Sequence, residues 1–261
     1  MRLVIVTMVD RGFPSVCLPR LVEAFGNDVH SIVMANAPQS SRTGRLRQIA
    51  RKVRRIGALG AINGLRMRRW YGRDVAEALR LDPIEVVAAR LGVPLHASPS
   101  INDERTVALL GGANADLGLC LGTTWLSPAV HSVPRHGMIN VHHELLPEFR
   151  NAQSVIWSIH EGRRTTGFTI HRIAPRMDAG DVLWREETPI LFRATLGETV
   201  TATYADLLTR SAARLVEVVR DFDALAARAQ PQRDGRTFTT PTWSEYRRMR
   251  AQFARLRGVT G

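Results

Sequence analysis

The stretch Gly137-Met138-Ile139-Asn140-Val141-His142-His143-Glu144-Leu145-Leu146-Pro147 decides the reading of the chain. Gly137 to His142 is a short, mostly apolar run, the pattern of a strand buried on both faces. Asn140 and His142 are two residues apart, so on a strand their side chains leave the same face. In open α/β sheets, ligands bind beyond the carboxyl ends of the strands. A carboxamide and an imidazole at such an end are candidate functional groups. Taken alone, they could equally satisfy backbone groups of the following loop.

Working outward, buried strands are expected at Arg2–Met8, Val29–Met34, Val93–His96 and Leu117–Leu121, the last ending at Gly122-Thr123-Thr124. Between them, helices are expected at Ser15–Phe25, Pro83–Leu91, Asp103–Leu110 and Ser127–His131. Alternating strands and helices of this length predict an α/β fold, an open, mostly parallel sheet with helices on both faces. Downstream, Gly167–Ile173 and Val182–Ile190 read as strands joined through Asp178-Ala179-Gly180, and Thr199–Leu225 as one long amphipathic helix. Residues 1–225 are expected to form one catalytic domain. Residues 226–261, with their Pro, Arg, Thr and Trp243, read as a tail with no clear core of its own.

No apolar run approaches the ~20 residues needed to cross a bilayer. Met1 to Val9 meets Asp10 at once and reads as a first strand rather than a signal peptide. Cys17 and Cys120 are the only cysteines and make no disulfide framework, so a reducing cytoplasm is the expected compartment. The net charge of +12 is concentrated. Arg42 to Arg73 holds eleven Lys or Arg and no Asp or Glu, and the rest carries 25 basic against 24 acidic residues. A field confined to one insert points to a local anionic partner. Within it Leu46, Ile49, Val53 and Ile56 recur at helical spacing with arginines between them, predicting an amphipathic helix with a cationic face. Gly57, Gly60 and Gly64 are expected to split it into two helices.

Several motifs are missing. No phosphate-binding or dinucleotide-binding glycine fingerprint follows the first strand, and no G-x-S-x-G elbow exists. No metal site is expected, because His142 and His143 are strand neighbours that point to opposite faces.

The Asn140-x-His142 segment, followed by Leu145-Leu146-Pro147 and Phe149-Arg150, resembles the folate-dependent formyltransferase family. A second motif strengthens the resemblance: Gly167-Phe168-Thr169-Ile170-His171, leading to Met177-Asp178-Ala179-Gly180-Asp181. The two motifs stand in the family's order, and the likeness covers about residues 100 to 210. Two departures bear on the acceptor side. His143-Glu144 stand where the family usually has Pro-Ser, and Asn151 stands where it usually has Gly after the Arg.

The resemblance implies a Rossmann-like formyltransferase fold and 10-formyltetrahydrofolate as co-substrate. It implies that the folate binds beside Gly122, Thr123, Thr124, Leu126, Met177 and Gly180, largely through backbone. It also implies Asn140, His142 and Asp178 as the catalytic group. The chemistry agrees. Acyl transfer to an amine develops an oxyanion, which a carboxamide donor stabilises by ~3 kcal/mol. An imidazole titrating near neutrality relays the amine's proton. A carboxylate favours or orients the imidazolium. His171 reads as a supporting residue rather than the base. His143, Glu144 and Arg150 are candidate contacts to the acceptor, Arg150 to a phosphate or to a neighbouring carboxylate.

The expected acceptor is a small anionic primary amine, first of all an amino sugar attached to a nucleotide. The chain lacks the Gly-rich loop usual after the first strand in glycinamide ribonucleotide enzymes. No second β-rich domain of the methionyl-tRNA formyltransferase kind is expected after the long helix, and no extra N-terminal domain of the free folate hydrolase kind before the first strand. The alternatives are another small amine, or a non-catalytic relative that binds RNA or membrane. The 42–73 insert is a solvated cover, a phosphate-binding element or an anchor on an anionic membrane surface, which would place the protein at the membrane's inner face. Nucleic acid is disfavoured because aromatics in the insert stop at Trp70 and Tyr71. A homo-oligomer is compatible with the sequence.

Overall fold

The computed structural model describes residues 1–36, 42–151 and 153–258. The strands are β1 (Leu3–Thr7), β2 (Val29–Ala35), β3 (Leu95–Ser98), β4 (Leu117–Cys120), β5 (Met138–His142), β6 (Phe149–Arg150), β7 (Thr165–Arg172), β8 (Val182–Pro189) and β9 (Arg236–Thr237). A seven-stranded sheet runs β3-β2-β1-β4-β5-β7-β8. β1 to β5 are mutually parallel, whereas β7 and β8 join antiparallel. β6 and β9 form a separate parallel pair. The helices are α1 (Phe13–Phe25), α2 (Arg42–Tyr71), α3 (Arg73–Ala78), α4 (Ile84–Leu91), α5 (Glu104–Ala113), α6 (Pro128–His131), α7 (Ile156–His160), α8 (Leu196–Arg220), α9 (Phe222–Ala226) and α10 (Trp243–Gly258).

Alternation along β1 shows why its sequence is continuously apolar. Leu3 and Ile5 enter a core with Leu18, Leu21 and Leu208, while Val4 and Val6 enter a second core with Leu110 and Val130. Both faces of the sheet are therefore covered, as the run of β-branched residues requires. The long C-terminal helix begins earlier than Thr199, at Leu196. Thr195 and Glu198 form a reciprocal cap there that satisfies the first free N–H groups. It stops at Arg220, and α9 follows.

Only Gly57 breaks the basic insert, with φ +74° inside α2. Gly60 and Gly64 stay helical, and the segment near Thr240 to Trp243 packs on them. A Cβ on Gly64 would stand 3.2 Å from the Thr240 methyl. The expected inward apolar face is only partly realised: Ile56 is buried and Val53 half-buried, but Leu46 and Ile49 are exposed. The tail adds α10 to the main body, sending Tyr246, Met249, Phe253 and Leu256 into the larger core. No helix among the described residues is long and apolar enough to cross a membrane.

Candidate active site

β5 ends at the centre of the sheet, and a cavity of about 680 Å³ opens beyond its carboxyl end. Asn140, His142 and Asp178 all line it. β7 runs antiparallel to β5 and sets Asn140 opposite His171. The loop after β4 contributes Gly122, Thr123, Thr124 and Leu126, and the loop between β7 and β8 contributes Met177 and Asp178. Trp125 ties these loops together, donating from its indole to the Pro175 carbonyl at 2.9 Å. Gly122 holds φ +76° and passes close to Val9, where a Cβ would approach to 2.8 Å.

Hydrogen bonds fix the protons of the site. His171 Nδ1 donates to the Arg172 carbonyl at 2.9 Å, so its Nε2 carries the lone pair. That lone pair accepts from Asn140 Nδ2 at 3.2 Å, which sets the orientation of the amide. The second Nδ2–H of Asn140 has no protein partner among the described residues. Burial pushes His171 down to about 4, keeping it neutral although Asp178 Oδ1 lies 3.8 Å away. His142 Nε2 donates to the Phe149 carbonyl at 2.8 Å, and its Nδ1 faces Asp178 Oδ2 at 3.8 Å. The His142 and Asp178 side chains are only 12% and 11% exposed.

Asp178 has φ +50°, and its Oδ2 accepts the Asn151 backbone N–H at 2.8 Å. Asn151 also has φ +50°. Asn tolerates that left-handed backbone better than other non-glycine residues. It therefore supplies the conformation expected of Gly, and its Nδ2 donates to the Phe238 carbonyl at 3.1 Å. Cys120 also lines the cavity, but burial pushes its thiol up to about 12, and it pairs with Thr123 Oγ1.

Arg11, Phe13, Arg68, Tyr71, His143 and Tyr204 also line the cavity. His143 stands against the edges of Phe13 and Tyr204, at centroid distances of 4.7 and 5.3 Å, and bonds Ser211 Oγ at 3.0 Å. Burial holds it down at about 3, so it is a neutral wall residue. His142 and His143 both border the cavity because the strand alternation stops at His142. No cluster of three or more His, Cys, Asp or Glu among the described residues could hold a metal.

Three expected site residues do something else. Glu144 does not face the acceptor. It is fully buried, its Oε1 accepting from Val155 N at 2.8 Å and its carboxylate from Ser158 Oγ at 3.2 Å. Burial pushes it up to about 7. The position after His143 is aimed into the turn because Thr169 Oγ1 donates to the Glu144 carbonyl and accepts from Leu146 N. Arg150 neither lines the cavity nor meets a carboxylate. It is buried beside β9 and donates to the Arg233 carbonyl at 2.7 Å and to Gln232 Oε1 at 3.3 Å. Gly180 is outside the cavity lining. It lets its loop pack on β7, where a Cβ would fall 1.8 Å from the Arg172 carbonyl oxygen.

Sequence reasoning missed Arg11, Arg68 and Tyr204 as cavity residues, since nothing in their local sequence signals convergence from three distant elements.

A carboxamide, two imidazoles and a carboxylate thus meet beside the carboxyl end of β5, the ligand-binding edge of an open α/β sheet. A family model described as formyl transferase matches residues 66–219, and the chain belongs to that family. A methionyl-tRNA formyltransferase from Chlorobium chlorochromatii is 30% identical over 164 residues, which is 63% of this chain and 51% of that protein. The chain thus spans about half the length of the curated relatives it matches. Among solved structures, a sugar N-formyltransferase from a Shewanella species superposes with a TM-score of 0.54 at 17% identity, covering 98% of this chain and 87% of that one. An N-formyltransferase from Helicobacter canadensis, solved with folinic acid and dTDP-3-aminofucose, gives 0.52 at 11%, covering 91% and 71%. Both share the fold.

Proposed function

We propose that the protein transfers a formyl group from 10-formyltetrahydrofolate to an anionic primary amine. One observation carries the reading. Asn140, His142 and Asp178 converge on one cavity, with a free amide N–H and an imidazole lone pair at its wall. The residues fit the folate. Trp125 and Met177 are large apolar side chains left 43% and 41% exposed at the cavity, surfaces that a bound ring system would cover. When bound, 10-formyltetrahydrofolate supplies the formyl carbon.

The chain's own groups handle charge and proton. Asn140 holds one Nδ2–H toward His171 and keeps the other for an oxygen gaining negative charge. His142 takes the amine's proton on Nδ1, because Nε2 is committed to the Phe149 carbonyl. Asp178, 3.8 Å away, stabilises the imidazolium so formed. The same Nδ1 then returns the proton to the departing nitrogen.

Arg11 and Arg68 on the cavity wall support an acceptor carrying phosphate. A nucleotide-linked amino sugar is the first candidate. The likeness to methionyl-tRNA formyltransferases favours an aminoacyl-tRNA as the second. The test is tetrahydrofolate release from 10-formyltetrahydrofolate across a panel of sugar nucleotides, simple amines and charged tRNA. Release stimulated by a sugar nucleotide supports the reading. Stimulation by tRNA alone replaces the acceptor, and no stimulation by any amine removes the activity.

A further inference from the structure

We propose that α2 docks the protein on an anionic lipid surface through an outward apolar stripe and the arginines beside it. Past the break at Gly57, Leu59, Ile62 and Leu65 follow one another at three-residue steps and so share a helix face. They are 52%, 56% and 65% exposed. The opposite face is already used: Gly60, Asn63, Gly64 and Met67 are buried against the body. Before the break, Leu46 and Ile49 share a face and are 60% and 53% exposed. A helix packed on a globular body normally turns its apolar stripe inward. Past Gly57 the arrangement is reversed, and half of the exposed large hydrophobic residues among the described residues fall on this one helix.

Charge identifies the occupant. Arg47, Arg51, Arg54, Arg55 and Arg66 are exposed, and no ion pair among the described residues engages them. The insert has no acidic residue. Aliphatic side chains that enter the acyl boundary, beside guanidinium groups at phosphate level, are the composition of an interfacial helix. A second copy of the chain fits poorly, because self-pairing would oppose two acid-free arginine rows. An RNA strand would find charge but no stacking platform. Tyr71 is turned inward, its hydroxyl donating to the Ser154 carbonyl and its ring edge-on to Tyr204 at 5.2 Å. Trp70 packs against Gly197 of α8. The stripe ends at Leu65, one turn before Arg68 on the cavity wall, so the docking face adjoins the cavity.

The experiment is sedimentation of the full chain with phosphatidylcholine vesicles, with and without about one-third phosphatidylglycerol, at low and high salt. Binding is expected only to the anionic vesicles, weakening with salt. Leu59→Ser, Ile62→Ser and Leu65→Ser together should weaken it about tenfold or more while circular dichroism stays unchanged. Each of Arg47→Gln, Arg51→Gln, Arg54→Gln and Arg55→Gln should weaken it about fivefold. Several results would overturn the proposal. These are no pelleting with anionic vesicles, pelleting by the triple serine variant equal to the parent, tighter binding to RNA in a mobility shift, or a dimer that the serine variant abolishes.

Discussion

Asp178 Oδ2 lies 3.8 Å from His142 Nδ1, too far for a direct hydrogen bond and near enough to stabilise a charge there. The spacing is imposed from behind. The same oxygen is held by the Asn151 N–H at 2.8 Å, and His142 is held by the Phe149 carbonyl. Phe149 and Asn151 flank Arg150, so one short segment positions both partners. Nδ1 thus keeps a lone pair for an incoming proton.

The oxyanion role of Asn140 predicts a loss in turnover rather than in binding. Asn140→Ala is expected to lower kcat about a hundredfold or more while the folate KM stays within about threefold. Steady-state kinetics with the folate varied would measure both. A change confined to KM would mean that Asn140 only positions the folate.

Burial of ionisable groups around the site predicts opposing pH effects on stability. His171 and His143 are held down at about 4 and about 3, against an ordinary 6.5. Their neutral burial therefore contributes stability that is complete above 6.5 and is lost as pH falls toward those values. Glu144 is pushed up from 4.5 to about 7, so its contribution is complete below 4.5 and lost as pH rises through about 7. Glu144→Gln keeps an acceptor for Val155 N–H and removes the titration. Its stability relative to the parent should rise by about 1–3 kcal/mol between pH 5 and pH 8. Glu144→Ala should instead destabilise by about 1–3 kcal/mol, since Val155 N–H loses its partner. Denaturant melts across that range distinguish the two; a flat difference for Glu144→Gln would mean the carboxylate is not buried.

Close backbone approach predicts contrasting glycine variants. Gly180→Ala places a methyl on the Arg172 carbonyl, so it should cost about 3 kcal/mol and displace the Asp178 loop. Gly111→Ala, in α5 with nothing within 4 Å of the new methyl, should stabilise by about 0.5–1 kcal/mol. Thermal melts of both, with turnover for Gly180→Ala, check this. Equal stability of the two variants would contradict the packing.

The two arginines on the cavity wall predict an acceptor-specific defect. Arg11→Ala and Arg68→Ala should each raise the acceptor KM about tenfold, leaving the folate KM near that of the parent. Equal effects on both substrates would show that these residues serve the fold instead.

The sheet was legible in sequence, and so was the meeting of Asn140, His142 and Asp178 at one cavity, because both have local signatures. Buried parallel strands read as apolar runs, and Asn140-x-His142 is a two-residue spacing at a strand end. What escaped depends on depth and distance. Glu144 neighbours the site in sequence, yet the turn carries it into the core, and nothing local distinguishes a buried carboxylate from one that faces an acceptor. Arg150 reads as a partner for a phosphate or a neighbouring carboxylate until β9, some eighty residues later, covers it. α10 was legible in principle, since Tyr246, Met249, Phe253 and Leu256 keep helical spacing, but the arginines between them dilute the pattern. The apolar face of α2 had the right period, but periodicity does not say whether a face meets the core or the solvent.

In the proposed reaction Asp178 and His142 act as one charge-handling unit on the transferred proton. The most direct measurement is single-turnover tetrahydrofolate release by the parent, Asp178→Asn and His142→Ala, with folate binding followed separately by calorimetry. Both variants are expected to bind folate within about threefold of the parent and to turn over on the order of a hundredfold or more slower. Release at the parent's rate by either variant, with folate still bound, would contradict the account.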